Sequence, residues 1–159
     1  MGYETTTKLW VMSTIPNTLR ATFLPFEDWY MPENEWGKPP YFIDFFREKI
    51  GTDMWKVCGR YIELKEEHCR EYLIKLMEAR RIFSKYGYEN KVGSIKKDSL
   101  HYNEILEQLD GLLIMDDYDR KYISVSEICR QYDYFQWLVD KMDEFKKNEI
   151  EFYVTMEIT

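Results

Sequence analysis

The sequence predicts an α+β fold. A small antiparallel sheet (an N-terminal hairpin, a strand near 54–62 and a C-terminal strand at 149–158) packs against three main helices at 65–86, 99–110 and 125–146. Three observations carry this reading. Apolar residues recur at three- and four-residue steps through the helical segments. Residues 149–158 alternate strictly, with Ile150, Phe152, Val154, Met156 and Ile158 against Glu149, Glu151, Tyr153, Thr155 and Glu157, the pattern of a strand with one buried and one wet face. Helices and strands do not alternate one for one, which favours α+β over a parallel α/β sheet.

Taken in order, residues 4–14 are rich in β-branched and aromatic types and read as a strand. Ile15-Pro16-Asn17 is a turn signal, and residues 18–24 alternate again, completing a hairpin. Residues 25–40 hold Pro25, Pro32, Gly37, Pro39 and Pro40, which break regular structure. A long loop in a compact domain is uncommon unless it has a task or is mobile, and the acids and large rings of this one suit either gripping a basic partner or, for the rings, capping one end of the core. Residues 41–49 form a short helix with Phe42, Phe45 and Phe46 inward. Residues 54–62 form a strand in which Gly59 marks a bulge or close approach.

The most strongly patterned stretch is the helix at 65–86. Cys69, Tyr72, Leu73, Leu76, Ala79, Phe83 and Tyr86 lie on one face. Glu66 and Glu67 in its first turn and Lys85 in its last suit the helix dipole. Gly87 is placed to close it in a left-handed conformation, with Tyr88 folding back. Polar residues 88–98 read as a loop. The helix beginning at Asp98 or Ser99 carries Tyr102, Ile105, Leu106 and Leu109 on one face and ends at Gly111. The runs 112–115 and 122–125 flank Asp116–Arg120, either as a small hairpin or with the first run as the helix's last turn. Ser124-Val125-Ser126-Glu127 has capping-box spacing. The helix it opens buries Ile128, Tyr132, Phe135, Leu138, Val139, Met142 and Phe145.

At 159 residues the chain is expected to be one domain, long enough to bury roughly 70% of its unfolded surface. Thirteen Tyr, nine Phe and five Trp are more rings than a core this size hides, so some are expected at the surface, where Tyr and Trp favour interfaces. The formal charge of −7 disfavours contact with phosphate backbones and favours basic partners. Three scattered cysteines, Cys58, Cys69 and Cys129, argue against a disulfide framework. With no apolar leader and no membrane-length run, a cytoplasmic protein is expected.

Catalytic signatures are not found in the sequence. His68 and Cys69 are adjacent and point about 100° apart on a helix, so they cannot act on each other. A pair across the fold, such as Cys129 with His101, would be needed. Asp116, Asp117 and Asp119 lack the glycine and spacing of a calcium loop and read as a solvated turn. No phosphate-binding glycine motif or nucleophile elbow occurs. Ile123–Tyr132 is similar to the first helix of a helix-turn-helix, but 133–138 supplies no glycine turn. Lys91, Lys96, Lys97 and Arg80-Arg81 read as solvated faces.

The expectation is therefore a non-enzymatic acidic inhibitor or adaptor, with no cofactor and no metal. It docks on a protein with a basic surface, such as a nucleic-acid enzyme. Anti-defence inhibitors of phages, including anti-CRISPR proteins, and toxin-immunity proteins share these properties as a class. Glu27, Asp28, Trp29, Tyr30, Glu33, Glu35 and Trp36 are the expected contact residues. The alternatives are a DNA-binding regulator with a degenerate helix-turn-helix and an enzyme with an unrecognised site.

Overall fold

In the computed structural model the elements run β1 (Thr7–Ser13), β2 (Arg20–Phe23), β3 (Tyr61–Leu64), α1 (Glu66–Lys85), β4 (Ser94–Ile95), α2 (Tyr102–Asp110), α3 (Asp117–Lys121), β5 (Ile123–Ser124), α4 (Val125–Lys147) and β6 (Phe152–Ile158). The structure describes residues 7–13, 20–23, 45–46, 48–49, 61–89, 93–115 and 117–158. Residues 45, 46, 48 and 49 are helical, with Phe45 and Phe46 buried edge to face at 5.1 Å. The fold is α+β. The chain divides into two units, Met1–Arg70 with Gln136–Thr159, and Glu71–Phe135.

The first unit holds an antiparallel sheet in the order β2-β1-β6-β3. β1 and β2 form the expected hairpin, with Trp10 opposite Phe23 and Ser13 opposite Arg20. The C-terminal strand is central. It pairs along its whole length with β1, from Thr7↔Ile158 to Ser13↔Phe152, and on its other side with β3, from Tyr61↔Glu157 to Leu64↔Val154. The strand expected near 54–62 is thus seen at 61–64, residues 54–60 lying outside the described residues. Leu64 belongs to the strand because its partner Val154 is buried with it, and a buried cross-strand pair outweighs the polar character of the residues that follow. Phe145 of α4 covers Phe152 at a ring distance of 5.9 Å.

α1 buries Cys69, Tyr72, Leu73, Leu76, Ala79 and Phe83, as its periodicity predicts, and Ile82 in addition, while Tyr86 is half-buried. Its end closes with the Tyr88 N–H donating to the Phe83 carbonyl at 2.8 Å and the Gly87 N–H to Ser84 at 3.1 Å. Gly87 has φ of 78°, which only glycine adopts at no steric cost.

In the second unit the expected loop at 88–98 contains β4, paired with β5 through Ser94↔Ser124 and Ile95↔Ile123. The helix expected from 99 begins at Tyr102. His101 precedes it with φ of 62°, so the backbone is left-handed where helix was expected. Ser99 is used instead in a turn, its Oγ accepting from the Lys96 N–H at 3.0 Å. Tyr102, Ile105 and Leu109 are buried, with the Tyr102 hydroxyl donating to the Arg120 carbonyl.

The hairpin reading of 112–125 does not survive, while the start of the 112–115 run closes α2, the Leu112 and Leu113 N–H groups donating to the Leu109 carbonyl at 2.9 and 2.8 Å. Residues 117–121 are helical and β5 pairs with β4, not with 112–115. Asp119 is buried in this helix while Asp117 is exposed, so the expectation of a solvated turn fails at Asp119; Asp116 lies outside the described residues.

α4 opens with the expected cap, Ser124 Oγ accepting from the Glu127 N–H at 3.3 Å. Within its stripe Tyr132 and Phe145 are only half-buried, the Arg80 guanidinium lying 4.2 Å above the Tyr132 ring. Tyr134 and Gln131 are buried instead. The helix is unbroken over Val125–Lys147, so the turn and second helix of a helix-turn-helix are missing from that stretch.

Candidate functional site

Glu27, Asp28, Trp29, Tyr30, Glu33, Glu35 and Trp36 all lie outside the described residues. Of the other candidates, Cys69 sits at the start of α1 with no exposed surface. Burial pushes its thiol up to about 12, and the nearby Glu66 carboxylate adds to this. Burial also pushes the Cys129 thiol up, the Arg80 guanidinium opposing it. A thiol held protonated is a poor nucleophile. His68 lies 3.8 Å from Glu67. The His101 ring rests on Tyr86 at 5.0 Å. Among the described residues no three His, Cys, Asp or Glu side chains gather closely enough to share a metal ion.

Charge in the first unit is organised around the N-terminus of α1. Arg70 donates to Glu66 Oε1 at 2.9 and 3.0 Å and to Asp143 at 2.5 Å, and Lys146 also reaches Glu66. Burial alone would raise the Glu66 carboxyl, but bonds from Lys146 and Arg70 outweigh it and hold the group below its ordinary value. Glu66 is thereby occupied internally. Beside it an open recess of about 410 Å³ is lined by Glu63, Leu64, Lys65, Glu66, Glu67, Phe152 and Val154. Glu63 and Glu67 are exposed there, on the outermost strand of the β2-β1-β6-β3 order and on the first turn of α1. Two carboxylates on an apolar floor can accept from a cationic side chain.

The second unit places several rings at its surface, as the aromatic excess predicts. Tyr86, Tyr88 and Tyr132 are half-buried and Tyr122 is exposed. Ile74 and Met77 are exposed one helical turn apart on α1. A second recess, lined by Lys96, Lys97, Asp98, Lys121 and Tyr122, had no signature in the sequence. It depends on the β4–β5 pairing, and strands of two residues leave no periodicity to detect.

Comparison of the chain with protein-family models, with curated proteins and with solved structures finds no match. Among the described residues no helix is long and apolar enough to cross a membrane.

Proposed function

We propose that this protein is a non-enzymatic binding protein that docks through an anionic, ring-rich surface on a partner with a basic face, and inhibits it by occupying that face. One observation carries the reading. Between Pro25 and Gly37 the chain has four carboxylates, Glu27, Asp28, Glu33 and Glu35, and no Lys or Arg, interleaved with Trp29, Tyr30 and Trp36. Carboxylates steer and orient a cationic partner. Trp and Tyr supply the large rigid contact area that dominates interface energetics. The net charge of −7 acts in the same direction over the whole surface. The Glu63 and Glu67 carboxylates beside β3 offer a further anionic contact.

A basic surface wide enough to need such a partner is typical of enzymes that hold nucleic acids. Anti-defence inhibitors and toxin-immunity proteins work by this chemistry, and we assign the protein to that functional class. The paired substitution Trp29→Ala and Trp36→Ala tests it. Host lysate is passed over immobilised parent and variant at low salt, with an unrelated protein of equal charge as control. A basic protein held by the parent alone is expected. Equal retention by parent and variant, or by parent and control, overturns the reading.

A further inference from the structure

The outward face of α1 departs from the polar surface an amphipathic helix keeps toward water. Ile74 is 65% exposed and Met77, three residues on, is 41% exposed, while Tyr72, Leu76, Ala79 and Phe83 bury the other face. Exposed apolar neighbours rimmed by charge mark an interaction surface. Here the rim changes sign along the helix. Glu71 lies one turn before Ile74, and Arg81 lies one turn after Met77. The helix as a whole runs the same way, with Glu66 and Glu67 in its first turn and Lys85 in its last. Arg81 donates to Glu78 at 2.8 Å, with its side chain 73% exposed. A surface pair of this kind contributes little, so Arg81 can turn to another carboxylate at small cost.

We propose that this face joins two copies of the chain, α1 packing antiparallel on α1 of the second copy about a two-fold axis level with Leu76. Residues equally far from Leu76 then come level with one another. Ile74 enters beside Met77 and Glu78 of the second copy, and Glu71 comes level with Arg81. The two-fold makes each contact twice. Charge selects both the occupant and the sense. A face that is apolar in the middle, acidic before it and basic after it complements its own inverted copy. A parallel pair would set Glu71 on Glu71 and Arg81 on Arg81, and like-charge juxtaposition is costly. Antiparallel helix dipoles act in the same direction. Residues 71–85 span only about 21 Å of helix, and an interface that small makes a weak, reversible dimer. The face lies within the second unit and does not rest on the docking stretch proposed above.

Sedimentation equilibrium of the full chain tests this. The net charge of −7 on each copy opposes association at long range, so the measurement is made near physiological salt, which screens exposed charges beyond about 8 Å. A monomer–dimer equilibrium in the micromolar to submillimolar range is expected. Ile74→Gln should weaken it by about tenfold or more. Leu100→Gln, at a position 72% exposed elsewhere in the second unit, should leave it unchanged. Glu71→Arg alone and Arg81→Glu alone should each weaken self-association by about tenfold or more, because like charges then meet twice. An equimolar mixture of those two variants should dimerise again, because opposite charges then meet at both ends of the face. A circular-dichroism melt verifies each fold. Glu71 is half-buried, whereas Ile74 and Arg81 are exposed, so their variants read the face even where Glu71→Arg fails to fold. A parent that stays monomeric overturns the proposal. Undiminished association in Ile74→Gln or Arg81→Glu, equal loss in Leu100→Gln, or a mixture of folded variants that stays monomeric does so as well.

Discussion

The Tyr72 hydroxyl donates to Oε1 of Gln131 at 2.6 Å, joining α1 to α4 within the second unit, and both side chains are buried. Gln131 in turn donates from Nε2 to Glu127 at 3.2 Å, one turn back on its own helix. A fully buried amide is tolerated on α4 because the phenol opposite satisfies its oxygen. The Tyr72 ring meets Phe135 edge to face at 5.0 Å, so the same side chain serves the apolar packing.

Tyr72→Phe keeps the ring and removes the donor. It leaves the Gln131 oxygen buried and unpaired, which should cost about 1–3 kcal/mol in urea unfolding. Adding Gln131→Leu removes both partners, so the double variant should regain part of that loss. A double variant no more stable than Tyr72→Phe alone would show that the bond is not the source of the effect.

Two helix ends close with the same backbone bonds and different residues. At the end of α4 the Ile150 N–H donates to Phe145 at 2.8 Å and the Glu149 N–H to Lys146 at 3.1 Å, which repeats the Gly87 closure of α1. Glu149 holds φ of 56° there, where a Cβ is unfavourable. Glu149→Gly should therefore stabilise by about 0.5–1 kcal/mol, and Gly87→Ala should destabilise by about 1 kcal/mol. Opposite signs in thermal melts of the two variants test a shared geometry directly.

The contrast between these two ends explains what was legible in the sequence. Gly87 and the α1 stripe announce themselves because glycine chemistry and a 3.6-residue period are local signals. The Ser124 cap and the alternation of β6 are local too. Glu149 gives no sign of its left-handed backbone, because the closing bonds of α4 place it on a residue that is not glycine. The β4–β5 ladder is equally silent: two short segments become strands only because they meet. Asp119 looked like a turn residue until the fold buried it. For the proposed docking stretch, Glu27, Asp28, Trp29, Tyr30, Glu33, Glu35 and Trp36 speak through composition alone, since all seven lie outside the described residues. The recess of Lys96, Lys97 and Lys121 joins residues more than twenty positions apart, and no local pattern encodes that.

Glu66 gives the acid side of the stability profile its shape. Its carboxyl titrates below the ordinary glutamate value of 4.5, because the bonds from Lys146 and Arg70 outweigh the cost of burial. A depressed carboxyl contributes stability fully above the unfolded-state value and loses it as pH falls through the folded-state value. The parent should lose stability as pH drops below 4.5. Glu66→Gln should be less stable at neutral pH, with a shallower acid limb. The difference should shrink in high salt, because Glu66, Arg70 and Lys146 are all partly exposed. Parallel acid limbs for parent and variant would remove Glu66 from this role.

Charge reversal separates steering from contact in the docking proposal. Replacing Glu27, Asp28, Glu33 and Glu35 together by Lys leaves Trp29, Tyr30 and Trp36 in place and inverts the field they sit in. Association with a basic partner is accelerated by opposite charge over distances set by the Debye length, about 8–10 Å near physiological salt. Contacts between rings act only after encounter and chiefly slow dissociation. The reversed variant should therefore associate at least about tenfold more slowly at low salt, and the two proteins should converge as salt rises. Trp29→Ala with Trp36→Ala should instead speed dissociation and leave the salt dependence of association unchanged. Surface plasmon resonance over a salt series distinguishes these effects. An association rate indifferent to the reversal would mean that this stretch does not face the partner, whatever the rings contribute elsewhere.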